Sequence, residues 1–275
     1  MKLSIVSPVK NEADWIGYSI MACLEHVHEF VYACAKSSDG TDELLDHIKT
    51  RYGGDKIKIL RKPEYDFNVH DMAAYNRPYN DAIEASKGKE VIFLHPDMIV
   101  TNPEKIKDII EGPLAYWTNL TSYAGDMQTV ITKGRASKWK NIHAKRFGLK
   151  YYGAYGSECE DFYHTEITGK QYLHHGQNFR AYPFRVEDSG LKINHYCENK
   201  SYARRLEKMK SCLKNLHPTI ADDAITAMAI QHPRVTLEPM GSDIFGHFEF
   251  NKTDVPVPEV FYKYKAEFDK VLGRS

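Results

Sequence analysis

The chain has 275 residues, 42% of them hydrophobic and 27% charged, the composition of a globular protein able to bury a sizeable core. Lys+Arg and Asp+Glu balance at 37 each, so no global field points to nucleic acid or to an anionic membrane. The five cysteines (Cys23, Cys34, Cys159, Cys197, Cys212) are scattered, with no Cys-x-x-Cys pair, which argues against a disulfide framework or zinc knuckle and for reduced thiols in a cytoplasmic protein.

The opening MKLSIVSPVKNE breaks its apolar run at Pro8 and Lys10, so it reads as a first strand, Leu3 to Pro8, and not as a signal peptide. Without a signal, the Asn-x-Ser/Thr matches at Asn119, Asn199 and Asn251 carry no meaning. Apolar residues at Trp15, Ile16, Ile20, Cys23, Leu24 and Val27 recur with a helical period. EFVYACA (29–35) is a strand and SSDGT a turn, with Ser38 or Thr41 able to cap the helix DELLDHIKTRY, which Gly53-Gly54 ends. KIKILRK is a third strand. MAAYNRPYNDAIEASKG is helix-like, with Pro78 near its start or kinking it. EVIFL is a fourth strand, and Pro103 opens a further helix at PEKIKDIIEG.

Beyond residue 115 the pattern loosens into shorter Tyr- and Thr-rich strands: YWTNLTSYAG, MQTVITKG and KYYGAYGSE. KSYARRLEKMKSCLKNL is an amphipathic basic helix, its run from Arg204 to Lys214 suited to a solvated face or to phosphate-bearing acceptors. ADDAITAM reads as a helix start at Asp222-Asp223, and PEVFYKYKAEFDKVLG as a last helix. No stretch is long and apolar enough to span a bilayer. Strands alternating with helices at this spacing predict an α/β protein with a mainly parallel, doubly wound sheet. In such sheets ligands bind beyond the carboxyl ends of the strands. That rule sets Ser7-Pro8-Val9, Lys36-Ser37-Ser38-Asp39 and His95-Pro96-Asp97 on one rim.

Three stretches carry the chemistry. In SPVKNEADWI, short polar residues and main-chain N–H groups at a helix start suit a phosphate or ribose; plain turn and capping chemistry is the simpler account of these residues taken alone. SSDGT takes its value from its place after the second strand. In VIFLHPDMIV a carboxylate follows the fourth strand, where a hard oxygen ligand suits Mg²⁺ or Mn²⁺ against a diphosphate.

Strand-Pro-x-x-Asn-Glu, Ser-Ser-Asp-Gly-Thr, the helix carrying Asn80 before an Ala-rich turn and Gly88, and the strand leading to Asp97 together resemble the N-terminal half of a family 2 glycosyltransferase of the GT-A fold. The later segments YYGAYGSECEDFYHTEI, GQNFRAYPFR and LKINHYCENKSYARRLEKMKSCLK resemble the C-terminal half of a bacterial subgroup of that family. The resemblance implies one GT-A domain over 1–275, a Rossmann-like nucleotide-sugar half at 1–112 and an acceptor half at 113–275. It implies transfer of a sugar from a nucleotide-diphosphate donor, a UDP-sugar being expected, with inversion and with a divalent cation, Mn²⁺ or Mg²⁺. Pro8, Val9, Asn11, Glu12, Lys36, Ser38, Asp39, Asn80, His95 and Asp97 fall at nucleotide-sugar positions, and Asp97 and His195 at metal positions. The base that deprotonates the acceptor hydroxyl is sought among Glu158, Glu160, Asp161 and Glu166, with Asp161 and Glu166 favoured. Glu187-Asp188 is a further candidate that reads better as a turn. Tyr151, Tyr152, Tyr155, Phe162, Tyr163 and Tyr172 suit a sugar-stacking cleft or a β-rich core.

Two positions depart from the family. The acid expected after the second strand is replaced in Cys34-Ala35-Lys36, and Asp-x-Asp is replaced by His95-Pro96-Asp97. Two rivals follow: a non-catalytic nucleotide- or sugar-binding protein with a degenerate site, and a nucleotidyltransferase, which wants glycines that SPVKNE lacks. The acceptor stays open among glycan, lipid-linked glycan, protein and modified DNA base.

Overall fold

The computed structural model describes residues 3–65, 72–109, 115–133, 140–145, 149–153, 160–164, 172–175, 186–217, 219–237 and 249–274. The chain divides into two compact units, Met1–Asn119 with Lys140–Ile193 and Pro258–Ser275, and Leu120–Trp139 with Asn194–Val257.

The first unit opens with β1 (Leu3–Val9), α1 (Ile16–Cys23), β2 (Glu29–Cys34), α2 (Thr41–Ile48), β3 (Ile57–Arg61), α3 (Met72–Ala85), β4 (Glu90–Phe93) and β5 (Met98–Val100). Four of these strands lie parallel in the order β4-β1-β2-β3, with Val6 level with both Val31 and Phe93. The chain steps outward from β1 to β3, then returns to the other side of β1 for β4. The order therefore reverses between β1 and β4, the switch point of a doubly wound sheet. Helices cover both faces, as the alternation of strand side chains requires. Tyr79, Ala82 and Ile83 of α3 pack with Val6, Val31, Ala33, Val91 and Phe93. The alternate β2 residues Phe30 and Tyr32 face the α1 side. This is the α/β, mainly parallel, doubly wound architecture expected.

The sheet is continued antiparallel by β8 (Lys140–Lys145) on β4 and by the first part of β6 (Ala115–Ala124) on β8. A separate antiparallel sheet joins β9 (Leu149–Gly153), β10 (Glu160–His164) and β11 (Tyr172–His175), with β9 alongside α3. The C-terminal α7 (Glu259–Val271) packs on α1 and α2 through Phe261 and Phe268, which meet Trp15 and Tyr18.

In the second unit the last part of β6 pairs with β7 (Thr129–Lys133), and β13 (Glu249–Lys252) adds to β7. The end of β12 (Val186–Glu198) leads into α4 (Tyr202–Leu216), α5 (Asp222–Ile230) and α6 (Pro233–Thr236). Met209, Leu213, Ile225, Ala229 and Val235 form the core of these helices. Ser201 caps α4 by accepting the Arg204 N–H.

Four local expectations are corrected. Pro8 does not end β1, which runs on to Val9. Val9 C=O accepts the Ala35 N–H at 3.0 Å, so alternation turns the main chain of Pro8 to the other side, where β4 has stopped level with Val6 and no N–H is needed. The segment opened by Pro103 is a 3₁₀ turn (Pro103–Asp108), whose three-residue period buries both Ile106 and Ile109 on one side. Glu187-Asp188 lie in strand β12, which runs on through Gly190 at φ +69°, a conformation glycine adopts freely. Thr41 is the first residue of α2 and does not cap it.

Candidate functional site

The rim at the carboxyl ends of β1, β2 and β4 is built from three short loops. In the first, Asn11 sits at φ +55°, a left-handed conformation that asparagine tolerates better than most residues. This turn brings the β1–α1 loop against the β2–α2 loop. Asn11 N–H donates to Ser37 Oγ at 3.0 Å, and Asn11 Oδ1 accepts the Ser38 N–H at 2.8 Å. Glu12 N–H donates to Thr41 Oγ1 at 2.7 Å, and Ala13 N–H to Asp39 Oδ2 at 3.1 Å. The other Asp39 oxygen accepts both the N–H and the hydroxyl of Thr41. The two loops are thus clasped to each other at four successive points.

The third loop explains why a carboxylate stands behind a proline. His95 C=O accepts the Met98 N–H at 2.9 Å, closing a turn with Pro96 at its second position, where fixed φ suits it. Apolar residues resume at once because Met98–Val100 is itself a buried strand. Ser19 Oγ of α1 donates to Met98 C=O at 2.8 Å and fixes the residue next to Asp97. Asp97 is only 5% exposed. A carboxylate so far withdrawn from water has a stated job in a satisfied network or on a ligand. His95 is half-buried and its ring lies edge-on to Tyr79 of α3, with centroids 6.4 Å apart.

Just past the end of β2, Ala35 is buried and Lys36 is exposed. Burial, followed by the charge of Asp42, pushes the Cys34 thiol up to about 12, so it is neutral and unreactive at physiological pH. Arg61, closing β3, bridges Asp42 at 3.1 Å and Asp46 at 2.9 Å. Asn80 is half-buried on α3, its amide donating to Asn76 C=O one turn back.

No protein-family model and no curated protein matches the chain. Among solved structures it is similar to S. aureus TarS 1-349 in complex with UDP-GlcNAc, at 14% identity over 84% of this chain and 72% of that one, with a TM-score of 0.43. In another structure of TarS 1-349 the match has 16% identity and a TM-score of 0.37, covers 53% of this chain, and spans only 47% of that one. Glucosyl-3-phosphoglycerate synthase from Mycobacterium tuberculosis, in complex with Mn²⁺ and UDP-glucose, matches at 14% identity over 57% of this chain and 61% of that one, with a TM-score of 0.37. These are distant likenesses, and the ligands named belong to those proteins.

Of the residues singled out by sequence, Pro8, Val9, Asn11, Glu12, Lys36, Ser38, Asp39, His95 and Asp97 fall on the loops or strand ends of this rim. Asn11 and Asp39 spend their side chains on the opposite loop. His195 lies in the second unit, buried near the end of β12. There the neighbouring Asn194 donates to the Tyr196 hydroxyl at 3.0 Å, and Tyr196 stacks on Tyr123. Asp161 is on β10, with Tyr152 and His175 opposite it on the flanking strands. Glu166, Glu158 and Tyr155 lie outside the described residues. Among the described residues no group of three or more His, Cys, Asp or Glu is placed to hold a metal, and no helix is long and apolar enough to cross a membrane. Ser19 was missed as a rim residue, and Ser37, placed on the rim, and Thr41, read as a cap, were not expected to bond across to the first loop. Their bonds join positions 26 to 79 residues apart, which no local pattern reveals.

Proposed function

We propose that this chain is an inverting glycosyltransferase that binds a nucleotide-diphosphate sugar, a UDP-sugar first, in the crevice between β1 and β4. The observation that carries this reading is the buried Asp97 carboxylate on the rim of a doubly wound sheet, next to its switch point. Ligands of such sheets bind beyond the carboxyl ends, where the order reverses. The ordered succession of family motifs through the same loops supports it.

The donor set suits a hard divalent cation only if the ligand supplies most of the oxygens. Asp97 would give one carboxylate, and the diphosphate and water the rest, as is usual for Mg²⁺ at phosphate sites. Bound there, such a cation would offset the charge of the departing diphosphate. The chain's own contribution is positional. The clasp spends the N–H groups of Asn11, Glu12, Ala13 and Ser38 on the opposite loop and so fixes the shape of the two loops that would flank the ligand. Asp161 is our candidate for the base that takes the proton from the acceptor hydroxyl, with Glu166 as the alternative.

A thermal-shift screen of nucleotide diphosphates and their sugars, with and without Mn²⁺, tests the reading. Stabilisation by one donor, lost in Asp97→Ala, is expected. No shift with any donor overturns it. Binding without turnover on any acceptor class transfers the site to a sugar- or nucleotide-binding protein.

A further inference from the structure

The geometry points to Leu272 and Arg274, just past α7, as positioning residues of the donor rim. They act on it through Gly40 and Asp14. This inference rests on the donor reading above.

The helix end is shaped to deliver them. Gly273 takes φ +66°, its N–H bonding Lys270 C=O at 3.3 Å, while the Arg274 N–H turns back to Asp269 C=O at 2.8 Å. This pair of bonds closes a helix on a left-handed glycine and reverses the chain. Arg274 Nη1 then reaches Asp14, in the β1–α1 loop, at 2.8 Å. Leu272 reaches the other loop. Gly40, at φ +92° in SSDGT, lies so close that a Cβ added to it would come within 2.6 Å of Leu272 Cδ2.

Each loop of the clasp therefore has its own support from one three-residue segment. Asp14 follows Ala13, whose N–H is held by Asp39, and Gly40 follows Asp39 itself. The clasp sets the loops against each other, and Leu272 and Arg274 set the clasped pair against the helical layer. Without them the loops would keep their mutual bonds but lose a fixed height above the sheet. Errors of that kind weaken a ligand that must meet groups from both loops at once.

The test is titration calorimetry on the whole chain with UDP, GDP, CDP, ADP and dTDP in Mn²⁺, followed by variants against whichever nucleotide binds best. Leu272→Ala and Arg274→Ala should each raise its Kd about three- to tenfold. Leu272→Met, which keeps the volume, should stay near the parent value. Asp14→Arg should weaken binding, and adding Arg274→Asp should recover most of that loss. The main packing of α7, through Phe261 and Phe268, is untouched in all of these variants. Folded single variants with the parent Kd overturn the inference, as does a reversed pair that recovers nothing. If the parent chain binds none of the nucleotides, the donor reading fails first and this inference with it.

Discussion

Asp39 Oδ2 accepts the N–H of Ala13 at 3.1 Å, across 26 residues of sequence, while its Oδ1 holds Thr41 of its own loop. A residue read from the sequence as a ligand group also joins two loops. Asp39→Ala strips an acceptor from two main-chain N–H groups and a hydroxyl at once. The expected loss is about 2–3 kcal/mol of stability, since bonds to a charged acceptor exceed neutral ones. Donor affinity should fall with it. Asp39→Asn keeps an acceptor oxygen and should lose less of both. Urea unfolding beside donor titration decides. An Asp39→Ala chain of parent stability would remove the joint from this account.

The strands and helices of the first hundred residues were legible because their apolar periods are strong and turns punctuate them. Boundaries were legible only where the local rule was also the deciding rule. Pro8 stays inside β1 because the neighbouring strand has ended there, a tertiary fact. Glu187-Asp188 looked like a turn, yet the strand runs through them and on past Gly190 at φ +69°. The rim was legible as a place, because chain order fixes which strand ends carry loops. Its clasp was not, because partners 26 to 29 residues apart leave no periodic trace. Nor was the seat of α7: Gly17 and Gly40 each lie against a side chain of that segment, and no local pattern ties them to it.

Gly17 is the second residue of α1, where alanine is favoured over glycine by at most about 1 kcal/mol on propensity alone. Here the sign should reverse. A Cβ at this position would stand 2.6 Å from Phe268 Cε2 and 2.8 Å from Cδ2. Phe268 is 1% exposed and has no room to retreat. Overpacking of this kind costs about 1–3 kcal/mol, so Gly17→Ala should be destabilising on balance. Phe268→Leu in the same chain should return part of the loss. A Gly17→Ala chain more stable than the parent in denaturant would mean that α7 does not press on α1 as described.

Glu267 gives α7 a pH-sensitive anchor. Burial alone would raise its carboxyl, but hydrogen bonds from the Tyr52 hydroxyl and His47, with the charge of Arg51, hold it below its ordinary value. A carboxyl lowered on folding contributes stability above its unfolded pKa of about 4.3, and that contribution is lost as pH falls through the folded value. Glu267→Gln should therefore be less stable than the parent at neutral pH, and the gap should close in acid. Urea midpoints measured from neutral pH down to about pH 3 test this. A gap that stays constant across the series would assign the loss to packing.

Ser19 links the stability of the unit to its chemistry. Its side chain is 1% exposed, and its hydroxyl donates to Met98 C=O at 2.8 Å, one residue beyond Asp97. The N–H of the same Met98 closes the His95 turn. Both main-chain groups of Met98 are thus held, one by the turn and one by α1, and Asp97 is fixed between them. Ser19→Ala leaves that carbonyl buried without this donor, at a cost of about 1–3 kcal/mol. If Asp97 meets the donor's diphosphate or its cation, the variant should also lose donor affinity, because the turn that carries the carboxylate has one hold fewer. The loss should be smaller than in Asp97→Ala, which removes the group itself. Calorimetric titration of both variants separates the two levels. Reduced stability with an unchanged donor Kd would confine Ser19 to folding and detach α1 from the placement of Asp97.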